Sequence, residues 1–79
     1  MILKLLDKMR RGEKGKIVKI RGKPDMHRGL SRMGLAVGRF ICVENSSSLT
    51  DVCPIVVSIG RLTPSVDLTE AANVYVDLT

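Results

Sequence analysis

Aromatic side chains are almost absent from this chain: Phe40 and Tyr75 are the only two, and there is no tryptophan. The core is therefore expected to be Ile, Val, Leu and Met. A nucleic-acid platform that stacks successive bases on aromatic rings is missing, since Phe40 and Tyr75 both fall in predicted core strands. There is one histidine, His27, and no glutamine. No acidic pair has a spacing that places both members on one predicted helix face. Cys-His chemistry would need His27 beside a polarised thiol, and Cys42 and Cys53 both stand among apolar strand neighbours, where a thiol is inert. The chain is read as not an enzyme. The two cysteines lie eleven apart, so no Cys-x-x-Cys zinc or redox motif exists. No apolar run approaches the ~18 residues of a membrane span. The start, Met1-Ile-Leu-Lys-Leu-Leu-Asp-Lys8, lacks the apolar stretch of a signal peptide. A cytoplasmic protein with no membrane span of its own is expected.

What is present is a one-sided charge. Residues 1–39 hold twelve of the thirteen Lys/Arg and three of the eight acids, a balance of +9; residues 40–79 stand at −4. Such a basic half suits an anionic partner or a solvated face that keeps a small domain soluble. The 79 residues are read as one domain, 1–79.

One stretch organises the rest, His27 to Val43. Leu30 and Met33 share a helix face, Gly34 suits the left-handed position just past a helix end, and Gly38 makes a second turn into a strand from Arg39 to Glu44 or Asn45. Upstream, the three-residue spacing of Leu3, Leu6 and Met9 predicts a short helix over 2–9. Residues 16–21 read as a strand. Pro24 biases Lys23 to extended geometry, and Asp25 is placed as N-cap of a helix over 26–33. A polar hairpin loop spans 45–51, and Cys53–Ile59 reads as a strand with Pro54 at its start. A short strand is expected around 65–68, a helical turn capped by Thr69 at 69–72, and a last strand at 73–78 with Val74 and Val76 on one face. Four or five short strands in so few residues fit a mainly β fold, a small bent antiparallel barrel with short helical insertions.

Asp25-Met26-His27 sets a carboxylate, a thioether and an imidazole side by side, but consecutive residues at a helix start point different ways. Cys42 and Cys53 face each other across their hairpin only if its loop is centred near residue 47 or 48; otherwise both pack as small hydrophobes. No metal ligands and no resident cofactor are assigned, and weak association with Fe(II) or another transition metal is the most the chain offers. Gly12-Glu-Lys-Gly15 and Gly34–Gly38 match no phosphate-loop pattern and are turn glycines.

Four segments resemble FeoA domains. Arg11-Gly12-Glu-Lys-Gly15-Lys-Ile17 is similar to their Gly-x-x-Gly-x-Ile opening, and Leu30-Ser-Arg-Met33-Gly34-Leu35-Ala-Val-Gly38 to their Leu-x-x-Met-Gly-Leu-x-x-Gly segment. Pro54-Ile-Val-Val fits the strand after the family's hairpin loop, and Glu70-Ala71 followed by Val74-Tyr-Val76 resembles the closing segment. Two positions depart from the family: Gly29 stands where an Arg usually precedes Leu30, and Val66-Asp-Leu68 replaces a Leu-Arg segment. The resemblance implies an SH3-like antiparallel β-barrel, like the C-terminal domains of DtxR-type iron-dependent repressors. It also implies a small cytoplasmic accessory of ferrous-iron uptake that binds the membrane GTPase-transporter FeoB, at the inner membrane face through that partner. The partner-binding residues are placed at Arg28, Ser31, Arg32 and Arg39. A second copy of the chain is a further candidate partner. The alternative is a stand-alone regulatory barrel that binds nucleic acid or a transition metal, and an enzyme or dedicated metal carrier is the third class weighed.

Overall fold

The computed structural model describes residues 2–45 and 55–79. Six strands form one antiparallel sheet: β1 (Leu3–Leu5), β2 (Lys14–Ile20), β3 (Phe40–Asn45), β4 (Ile55–Ser58), β5 (Ser65–Val66) and β6 (Val74–Asp77). Their spatial order is β1-β6-β2-β3-β4-β5, so the last strand lies between the first two. A 3₁₀ turn at Leu6–Lys8 and two short helices, α1 (Pro24–Arg32) and α2 (Leu68–Ala71), complete the small SH3-like β-barrel.

Two-residue alternation builds the interior. Ile41 and Val43 of β3, Ile55 and Val57 of β4, and Val74 and Val76 of β6 are buried, joined by Leu6, Met9, Leu30 and Leu35. Among the described residues no buried core residue is aromatic: neither Phe40 nor Tyr75 enters the interior, although both lie in strands expected to form it. The ladder shifts register between Ile17 and Lys19 of β2 and between Val43 and Asn45 of β3. Irregularities of this kind bend a strand and tighten its twist, which lets six short strands curl round one core. β2 passes β6 very closely at Gly15: a Cβ there would lie 2.8 Å from Val76 Cγ1 and press on the Asp77 carbonyl oxygen. Only glycine fits that crossing.

The first segment corrects the reading of a helix over 2–9. Leu3–Leu5 pairs instead with Tyr75–Asp77, and only Leu6–Lys8 turns. The spacing of Leu6 and Met9 is real, because a 3₁₀ turn brings residues three apart onto one side, and both are buried. Leu3 is half exposed at the sheet edge. Neither predicted cap is a cap. Lys23 is the N-cap of α1, extended ahead of Pro24 as expected, and Asp25 sits in the first turn. Asp67, not Thr69, occupies the N-cap of α2. Phe40 is the largest correction: it points outward and is 71% exposed. The inward phase of β3 belongs to Ile41 and Val43, so Phe40 and Cys42 take the other face. Cys42 is half buried on that face. Asn45 ends β3, the later of the two ends expected; the rest of the predicted hairpin loop, together with Cys53 and Pro54, lies outside the described residues.

Candidate partner-binding surface

α1 is set by a few local choices. Pro24 enters at the first helical position, where its missing N–H costs nothing, and Asp25 in the first turn complements the positive end of the helix dipole. Met26, Leu30 and Met33 recur at helical spacing; Leu30 is fully buried, and the two methionines pack against the core. The helix ends in a Schellman arrangement. Leu35 N–H donates to the Leu30 carbonyl at 2.9 Å and Gly34 N–H to the Ser31 carbonyl at 2.9 Å. Gly34 takes φ +94°, a conformation that L side chains rarely adopt. Leu35 then turns back into the core beside Leu30. Arg39 N–H donates to the Ala36 carbonyl at 3.1 Å across a turn with Gly38 at φ +97°. That turn is pinned to β2, since Gly38 N–H donates to Ile17 O and Ile17 N–H to Arg39 O.

This framework presents Arg28, Ser31, Arg32 and Arg39 to solvent. Arg28, Ser31 and Arg32 follow i, i+3, i+4 spacing and share one face of α1, opposite Leu30. Arg39 stands beyond both glycine turns, at the entry to β3. The one ion pair on this face, Arg28 Nη1 to Asp25 Oδ1 at 3.9 Å, is exposed, so it leaves the guanidinium available for another anion. Gly29, half buried, faces α2: a Cβ there would stand 3.9 Å from Glu70 Oε2.

The other candidate chemistry disperses. Asp25 and His27 are exposed while Met26 folds onto the core beside Gly22. Among the described residues no three His, Cys, Asp or Glu gather to hold a metal. Whether Cys42 and Cys53 face each other lies outside the described residues.

A second surface was not legible in the sequence. On the outer face of the sheet Lys14 sits opposite Cys42 and Cys42 opposite Ser58, while Lys16 sits opposite both Phe40 and Asp77. Lys16 Nζ lies 5.9 Å from the centroid of the Phe40 ring, at the outer reach of a cation–π contact. Lys19 is opposite Tyr75, whose hydroxyl accepts from Arg21 Nη1 at 3.2 Å. Beside this face a cleft of about 510 Å³ opens, lined by Lys14, Gly15, Phe40, Ile41, Cys42, Ser58, Leu78 and Thr79. The missed signal was the phase of β3: Ile41 and Val43 can be inside only if Phe40 is out.

Among curated proteins none matches the sequence. Among solved structures, the chain is similar to an iron uptake regulatory protein (FeoA) at 28% identity and TM-score 0.85, covering 98% of this chain and 97% of that one. It is similar to iron(II) transport protein A from Clostridium thermocellum at 25% identity and TM-score 0.84, covering 96% of this chain and 46% of that one. A manganese-dependent transcriptional repressor, 20% identical with TM-score 0.87 over 98% of this chain, shares the fold; the chain spans only 42% of that repressor. The FeoA domain model matches residues 4–78. The chain thus belongs to the FeoA domain family, and that membership supports a role in ferrous-iron transport.

Proposed function

We propose that this chain is a small cytoplasmic accessory of ferrous-iron uptake that binds the cytoplasmic part of the membrane GTPase-transporter FeoB and modulates its activity. The observation that carries this reading is the FeoA domain match over residues 4–78. The similar iron uptake regulatory protein has nearly the same extent as this chain. Among the described residues no helix is long and apolar enough to cross a membrane. The exposed face of α1 with Arg28, Ser31 and Arg32, together with Arg39, is the contact surface. It offers three guanidinium groups to an acidic partner face, and planar guanidinium forks match carboxylates well. The protein acts by binding, not by catalysis. Iron is the cargo of the system and is assigned no resident site on this chain.

Purified FeoB tests this directly. The chain is expected to bind it and to change its rate of GTP hydrolysis or of iron transport. The Arg28→Glu/Arg32→Glu double variant is expected to weaken binding about tenfold or more while leaving the melting temperature unchanged, since both side chains are exposed. No binding and no change in hydrolysis or transport would remove the reading. A second reading, a regulatory barrel that binds nucleic acid, draws support from the outward Phe40 beside Lys16. It predicts a salt-dependent shift of DNA or RNA.

A further inference from the structure

The cleft beside the outer face of β2 and β3 contains none of the four residues placed at the FeoB contact, and it has its own chemistry. Its walls carry apolar groups: Phe40, 71% exposed, and Leu78, partly buried against the core, with Cys42 beside them. Ser58 and Thr79 stand at its edge as hydroxyl donors and acceptors. Lys14 lines it directly, Lys16 and Lys19 continue outward along β2, and Arg21 follows just past its end, all exposed. The acids on the same face are Asp77 and Glu44. Asp77 Oδ1 is already taken by Thr79, accepting from its N–H at 3.0 Å and its hydroxyl at 2.5 Å. Asp77 stays ionised, since bonds from neutral donors favour the carboxylate, yet four cations against two acids still leave this face positive.

An apolar hollow joined to a cationic track is complementary to a segment that carries an apolar side chain flanked by carboxylates. We infer that this cleft is the docking site of an extended acidic peptide segment whose apolar side chain enters between Phe40 and Leu78, its carboxylates running along Lys14, Lys16 and Lys19. A nucleic-acid strand fits less well. It needs successive stacking rings, whereas this face presents one free ring, Tyr75 being half buried and held by Arg21. The inference goes beyond the FeoB reading: it concerns a different surface, and either one stands without the other.

Two synthetic octapeptides, one alternating glutamate with leucine and the other lysine with leucine, test it by titration into ¹⁵N-labelled protein. The acidic peptide is expected to give saturable amide shifts at Phe40, Cys42, Ser58 and Leu78, weakened by added salt. Phe40→Ala and Lys14→Glu are each expected to weaken it about tenfold. Both residues are exposed, so the remaining spectrum serves as the folding control, and Lys14→Glu carries the test if Phe40→Ala perturbs the barrel. Equal binding of the lysine peptide, saturable shifts confined to other faces, or no saturable shift overturns the proposal. So does tighter binding of oligothymidine at the same amides, which would give the face to nucleic acid.

Discussion

Gly34 and Gly15 are both indispensable in this fold, for different reasons. At Gly34 the constraint is the backbone: φ is +94°, and a Cβ would also sit 3.4 Å from Leu62 Cδ1. Gly34→Val is expected to cost about 1–3 kcal/mol, read as a lowered midpoint in urea unfolding. At Gly15 the backbone is ordinary and the constraint is space, because β6 occupies the volume of a side chain. Gly34 was legible in the sequence, since its place after Leu30 and Met33 is a local pattern. The crowding at Gly15 was not, because it arises from Val76 and Asp77, far along the chain. Gly29 is the opposite case. It lies inside α1, and a Cβ there meets only Glu70 Oε2 at an ordinary 3.9 Å. Gly29→Ala is therefore expected to stabilise by about 0.5–1 kcal/mol through helix propensity, raising the same urea midpoint.

At the scale of elements, the segments whose fate depends on neighbours in sequence were readable, and those that depend on a distant partner were not. α1 was readable from Leu30, Met33 and Gly34, although its start was expected at residue 26 and lies at Pro24. β1 does not follow from Leu3–Leu5, because its existence rests on the free edge of β6. The turn after it is pinned by Glu13. Its carboxylate accepts from Lys4 Nζ at 2.8 Å and from the Arg10 backbone N–H at 2.6 Å, so it ties β1 to the 10–13 turn. These bonds, that of Lys4 first, hold the Glu13 pKa below its ordinary value. A carboxyl whose pKa is lowered by folding contributes stability above its unfolded pKa, and that contribution fades as pH falls through the lower folded value. Glu13→Gln is therefore expected to be less stable than the parent at neutral pH. The gap should close as pH drops below about 4, which melting temperatures across a pH series would show. A gap constant with pH would mean that the charge on Glu13 contributes nothing.

For the whole molecule, the position of β6 matters more than its length. Composition and strand spacing pointed to a small β-barrel, but strand order was not legible, because register between segments sixty residues apart leaves no mark on either alone. The charge split was legible, and the structure explains its use: the basic half supplies β2 and α1, the two elements that face outward with cations, while residues 55–79 supply much of the interior. β6 joins the halves. It hydrogen-bonds β1 on one side and β2 on the other, and it buries Val74 and Val76 completely. Each buried valine is worth about 1.5–3 kcal/mol, against a total stability of about 5–15 kcal/mol for a small domain. Removing residues 74–79 would also open the β2 edge and strand β1 without a partner. That truncation is expected to abolish the cooperative thermal transition seen by circular dichroism. Removing only Leu78 and Thr79 takes away a wall of the cleft, the bonds to Asp77 and the Leu78 N–H bond to the Ile2 carbonyl, but leaves every paired residue of both ladders, so cooperative melting should persist at a lower temperature. If the longer truncation still melts cooperatively, β1 and β2 must be able to close the barrel without the strand between them.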